Sequence, residues 1–179
     1  MIKKYKDKLI NPVSIPYRDL PLIVLVDNRR KLIPWLIKIH TSGQYSHTCE
    51  HYSSFFIASQ DIVGYRKVHI TKYLKPHIFL KFWKVELNPS QRAEWIKMIN
   101  EDLKKKGSYD ILGIIGHILR MPWINAEKLD YCSEVVARHQ NAISDIDLPH
   151  HPSPVGLDRV FQMIDKFSVY GYWFFEGEK

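Results

Sequence analysis

Strand-like and helix-like segments are segregated along this chain, and that order restricts its fold more than any other feature. Residues 44–85 read as β-structure. Tyr45 to Tyr52 and Phe55 to Gln60 flank Ser53-Ser54, which reads as a hairpin turn; Val63 to Ile70 follows, and Ile78 to Leu87 is rich in aromatic and β-branched residues. Upstream, Leu22-Ile23-Val24-Leu25-Val26 is an apolar run bounded by Pro21 and Asp27-Asn28, as in a buried strand. Asp27 or Asn28 then suits the cap of a helix through Leu32, Trp35, Leu36 and Ile39, ended by Gly43. Downstream, Asn88-Pro89-Ser90-Gln91 supplies a cap, a first-turn proline and a glutamine three residues after the cap; the helix it opens carries Trp95, Ile96, Met98, Ile99 and Leu103 and stops at Gly107. Asp110 opens another helical stretch, ended by Met121-Pro122. Tyr131 to Ile143 reads as a helix, Ser153-Pro154 starts a shorter one, and Val169 to Phe175 reads as a closing strand. The expectation is an α+β fold: an antiparallel sheet packed against helices gathered before and after it.

At 179 residues, 45% of them apolar and 25% charged, the chain has the size and composition of one ordinary globular domain. Residues 1–18 carry Pro12 and Pro16 and little periodicity, and read as an extended lead-in to a single domain spanning 19–179. No apolar run reaches the ~18–20 residues of a membrane-spanning helix, and no signal-type stretch follows the basic start Lys3 to Lys8. The expectation is a cytoplasmic protein, with export by another route, as for some phage proteins, left open. The net charge of +7 permits binding to nucleic acid, anionic lipid or an acidic polymer without choosing among them.

Two cysteines, Cys49 and Cys132, are too few for a disulfide framework or a four-cysteine zinc site. Cys132 stands in Asp130-Tyr131-Cys132-Ser133-Glu134, at the head of an expected helix. There the backbone N–H groups and the helix dipole favour thiolate over thiol, and the same N–H groups suit an oxyanion on an attacked carbonyl. A cysteine nucleophile needs a base. Of nine histidines, His47, in Gly43-Gln44-Tyr45-Ser46-His47 at the start of the sheet region, is the best placed, because a rigid strand would hold its ring.

In this order the residues resemble the permuted papain-like amidases of the NlpC and YiiX type, which are related to lecithin:retinol acyltransferase. Tyr45-Ser46-His47, Phe56-Ile57-Ala58-Ser59, Leu87 to Gln91, Gly107-Ser108-Tyr109-Asp110, Cys132-Ser133-Glu134 and Ser153-Pro154-Val155-Gly156-Leu157 look like family landmarks over residues 20–160. The resemblance implies a circularly permuted papain-like fold with Cys132 as nucleophile and His47 as general base, and no cofactor. The substrate it suggests is a peptide, a wall peptide or a lipid acyl group. The family places a polar residue on the strand after the histidine to orient its ring, and the matching position here falls near Ala58. A hairpin turning at Ser53-Ser54 would instead set Gln60 opposite His47, with Ser59 as the neighbouring choice; Glu50, three residues along, would face the other way. Cys49 would share the His47 face as a core residue beside the site.

Two other classes compete. His47-Thr48-Cys49-Glu50-His51 matches H-x-x-E-H, a zinc-peptidase pattern that needs a helix to bring residues four apart onto one face. The window from Gly43 to Phe56 is a poor helix, so no metal site is expected. A non-enzymatic basic module would use Tyr65-Arg66-Lys67 and Lys81-Phe82-Trp83-Lys84 on a polyanion or membrane, but the strand alternation there puts most of those aromatics in the core.

Overall fold

The computed structural model describes residues 8–28, 38–39, 42–61, 64–105 and 132–175. Within them the architecture is α+β. Six strands, β1 (Leu22–Asn28), β2 (His47–Ser53), β3 (Phe56–Asp61), β4 (Gly64–His69), β5 (Ile78–Val85) and β6 (Phe167–Phe174), form one antiparallel sheet in the order β4-β3-β2-β1-β5-β6. Three helices accompany it among the described residues: α1 (Pro89–Lys105), α2 (Cys132–Ile143) and α3 (Pro154–Phe161). None of them is long and apolar enough to cross a membrane.

The uninterrupted apolar run of β1 reflects its central place. Leu22, Val24 and Val26 point into one core with Ile57, Leu80 and Phe82, while Ile23 and Leu25 point into the other with Trp83, Trp95, Val135, Val136 and Phe161. A strand covered on both faces has no polar side to display, so alternation disappears from its sequence. The helices supply the second of these covers. The first is supplied partly by the segment read from sequence as a lead-in. Ile15 and Leu20 are buried there, with Ile10 and Val13 packed alongside, and Leu9 bridges to Tyr172 of β6. Residues 12–14 and 17–19 are 3₁₀ turns, the first capped by the Asn11 side chain. Such turns leave no repeating pattern, which is why this packing segment has the look of a tether.

Local rules explain the helix starts. Asn88 Oδ1 accepts from the Gln91 N–H at 2.9 Å and Gln91 Oε1 accepts from the Asn88 N–H at 3.0 Å, a reciprocal capping box. Trp95 and Ile99, one turn apart, are the fully buried residues of α1. Ser153 caps α3 through the Gly156 N–H at 3.0 Å, with Pro154 at its first position. The helix expected from Asp110 to Pro122, the Gly107 stop, the Tyr109-Asp110 landmark and most of the helix expected after Asn28 lie outside the described residues.

The hairpin differs from expectation by one residue. Ser53 pairs with Phe56, so the turn falls on Ser54-Phe55, and a register shift between His51 and Ser53 leaves Cys49 opposite Ser59 and Glu50 opposite Ala58. That shift decides which side chain meets His47.

If residues 8–20 are part of the fold, Ile15→Ala should lower unfolding stability by about 2 kcal/mol or more. A urea titration followed by far-ultraviolet dichroism measures it; an unchanged midpoint would return the segment to the status of a tether.

Candidate active site

His47 is the first residue of β2 and sits across from Val26. Its Nε2 lies 2.8 Å from Ser59 Oγ on β3, and Ser59 Oγ lies 3.1 Å from the Tyr73 hydroxyl. Gln60, the partner expected from sequence, falls one residue beyond Ser59 and therefore across from Thr48. The displaced turn and the bulge at His51/Ser53 are the reason. Ser59, the neighbouring choice, takes the ring. Dense surroundings hold His47 neutral: burial lowers its pKa to about 4 against a smaller opposing pull from Asp61.

Cys132 is the first residue of α2 and is buried. Burial pushes its thiol up to about 11, and the nearby Glu134 adds to this; the backbone N–H groups of Thr48, Ser133 and Cys132 itself work in the opposite sense. Thr48 is the residue that follows His47. Among the described residues no hydrogen bond joins the Cys132 thiol to the His47 ring. The next two residues of α2 tie down the loop before α3: Ser133 donates to the Pro152 carbonyl at 2.5 Å, and the carboxylate of Glu134 accepts from His151 Nδ1.

Cys49 shares the His47 face, buried in the core beside Val24 and Val26. Its thiol donates to the Val24 carbonyl at 3.8 Å and is pushed well up by burial, with smaller contributions from Cys132 and Glu50. Both cysteines are free thiols.

Glu50 belongs to the opposite face, where a polar cluster joins the sheet to two helices. Its fully buried carboxylate accepts from Tyr65 Oη at 2.5 Å, Trp95 Nε1 at 2.5 Å and His139 Nδ1 at 2.9 Å. His139 Nε2 donates to Asp102 at 3.0 Å, and Arg138 donates to the same Asp102 oxygen at 2.9 Å. Burial alone would lower the His139 pKa, but the Glu50 charge and the bonds to Asp102 and Glu50 outweigh it and raise the pKa to about 9. Asp102, in spite of its own burial, is held well below the usual carboxylate range by His139 and Arg138.

This arrangement bears on both competing classes. H-x-x-E-H lies on a strand, so Glu50 points away from the two histidines. His47 and His51 are about 13 Å apart along an extended chain, too far to share an ion. Among the described residues no group of three or more His, Cys, Asp and Glu could hold a metal ion. As for a stacking surface, Tyr65, Phe82 and Trp83 are buried, and the intervening cations have partners: Arg66 with Asp61, Lys81 with Asp158, Lys84 with Asp19, and Lys67 over the Phe56 ring.

No family model matches the chain, and no curated protein matches it.

The Glu50–His139–Asp102 cluster predicts a defined pH dependence. A histidine whose folded pKa is raised from 6.5 to about 9 stabilises the fold fully below pH 6.5 and ceases to do so as pH rises through 9. The shift corresponds to about 3 kcal/mol, lost between pH 6.5 and 9. Urea unfolding at half-unit pH steps should show this decline, and His139→Gln, less stable overall, should flatten it.

Proposed function

We propose that the chain is a cysteine hydrolase of permuted papain-like fold, acting on an amide or ester carbonyl, with Cys132 as nucleophile and His47 as general base. What carries the reading is the position of the Cys132 sulfur. It heads a helix, the Thr48 N–H is among the groups that favour its thiolate, and Thr48 follows His47, whose Nε2 is engaged by Ser59. The order of elements supports it too: a histidine early in the sheet, a cysteine late, at the start of a helix packed on that sheet.

The chemistry follows from the charges. With the thiol at about 11 and the imidazole at about 4, both are neutral at pH 7. The site starts as thiol and imidazole and not as a thiolate–imidazolium pair. On attack, the Cys132 thiol gives its proton to His47 Nδ1 while the sulfur bonds the carbonyl carbon. The oxygen of the tetrahedral adduct takes the negative charge, stabilised by N–H groups at the head of α2. Collapse breaks the carbonyl–nitrogen or carbonyl–oxygen bond, and His47 returns the proton to the leaving amine or alcohol. Water, deprotonated by His47, then releases the acyl group from sulfur, and the thiol is restored. Ser59 holds the ring throughout by a neutral hydrogen bond, which stabilises the transient imidazolium less than a carboxylate would. A wall peptide, another amide and a lipid acyl group are all carbonyl substrates of the kind this site would take.

A peptidyl acyloxymethyl ketone is expected to label Cys132 alone. Labelling should vanish in Cys132→Ser and slow by about 100-fold or more in His47→Ala. Peptide mass spectrometry reads the site, and equal labelling in the His47 variant would refute the assignment. Iodoacetamide provides a second measurement: alkylation of Cys132 should climb steadily with pH beyond 9. A plateau between pH 5 and 8 would mean a preformed ion pair instead.

A further inference from the structure

Ser59 brings a second side chain to the neighbourhood of His47. Residues two apart on a strand share a face, so Asp61 stands on the side of β3 that Ser59 turns to the ring. Counting on from the Cys49–Ser59 pair sets Asp61 across from His47 itself. Arg66, opposite Ser59 in the β3–β4 register, is on this face as well. Its Nε donates to Asp61 Oδ2 at 2.8 Å, and its Nη2 donates to the same oxygen. His47, Asp61 and Arg66 thus form a row of ionisable side chains across three neighbouring strands. The other ionisable groups around the ring are neutral at pH 7. Tyr73 stacks parallel to His47 at 4° and a centroid distance of 6.3 Å, and Cys49 and His51 share its face of β2; burial pushes the phenol and the thiol up and lowers His51 to about 4. The Cys132 thiol, at about 11, is neutral too. Among the described residues, Asp61 is the charge that acts on the His47 ring.

We propose that Asp61 is the counter-charge of His47: a positioning residue whose carboxylate favours the imidazolium through space, to a degree that Arg66 sets. In the proposed reaction the proton from Cys132 creates that imidazolium, and the neutral Ser59 hydroxyl stabilises it little. A carboxylate across the strand pair adds the stabilisation that Ser59 lacks without taking part in the proton transfer. Arg66 opposes it, since a cation on Asp61 offsets part of the negative field at the ring. The offset is incomplete: the Arg66 side chain is 46% exposed against 28% for Asp61, and water weakens so exposed a pair. The consequence for rate rests on the proposed role of His47; the electrostatic coupling itself does not.

An NMR pH titration of the histidine rings tests this, with His47 assigned by the signal lost in His47→Gln. Asp61→Asn should lower the His47 pKa by about one unit, and Arg66→Gln should raise it by about half a unit. Asp61→Glu keeps the charge and should restore most of the loss. Both single variants break the same ion pair, so a merely structural role would move the two in the same direction; that outcome, or a pKa unchanged in both, overturns the inference. In the ketone labelling assay Asp61→Asn should slow modification of Cys132 by about threefold, the effect of one pKa unit on a general base, and Arg66→Gln should not slow it. Labelling slowed by both would overturn the inference. His47 shifts of opposite sign in a chain with an inert Cys132 would support Asp61 as counter-charge and refute the hydrolase reading. A reactive Cys132 over an unmoved His47 would do the reverse.

Discussion

The carboxylate of Glu50 is the constraint around which the rest of the described structure is arranged. A charge without solvent exposure costs several kcal/mol unless its lone pairs are filled, and here three donors fill them: the Tyr65 phenol from β4, the Trp95 indole from α1 and the His139 imidazole from α2. Each donor comes from a different element. None can slide along the sheet without abandoning a buried charge, so the cluster sets the positions of both helices relative to β2. Apolar packing between Trp95, Ile99, Val135 and Val136 supplies more of the stability, but packing alone tolerates small translations that a directional bond to a buried carboxylate does not.

This has a direct bearing on the site. β2 carries His47 at its first position and Glu50 three residues later; α2 carries Cys132 at its first position and His139 two turns later. The Glu50–His139 bond, 2.9 Å long, therefore ties together the strand and the helix that bear the two proposed reacting groups, from the opposite face of the sheet. Ser133 and Glu134 extend the same function in the other direction, fastening the loop before α3 to the helix start. In this arrangement the start of α2 is anchored just after Cys132 by Ser133 and Glu134, and again two turns further on by His139.

The extent to which the sequence announces this structure depends on the range of each interaction. Short-range chemistry was legible: the Asn88/Gln91 capping box, the Ser153 cap, the two-faced burial of β1 and the strand character of His47–Ser53 all follow from neighbours within a few residues. The register of the β2–β3 hairpin was not. A turn displaced by one residue and a bulge at His51/Ser53 have no distinctive composition, yet together they give the His47 ring to Ser59 and set Gln60 opposite Thr48. His139 was less legible still. It is 89 residues from Glu50, and within α2 it is one more polar residue on a helix; only the tertiary fold makes it an ion held between two carboxylates. Tyr73 carries no motif at all, and only the fold brings its hydroxyl to 3.1 Å from Ser59 Oγ.

The charge state of the site also alters what the helix-head cysteine implies. From sequence alone the helix start reads as a device for making thiolate, and on an exposed helix it would be. Here burial outweighs it, and the N–H groups of Thr48, Ser133 and Cys132 recover only part of the cost. Those same dipoles nevertheless favour negative charge on sulfur whenever it develops, and the neutral His47 is ready to take the proton that must leave first. On the proposed reading the site is thus better matched to a reacting thiol than to a resting thiolate. Oxidants attack the thiolate form, so a nucleophile kept protonated until a carbonyl arrives is shielded from them as well. On that reading, reactivity toward small alkylating agents and toward an acyl substrate need not run in parallel: the first follows the resting ionisation, the second the proposed proton transfer to His47.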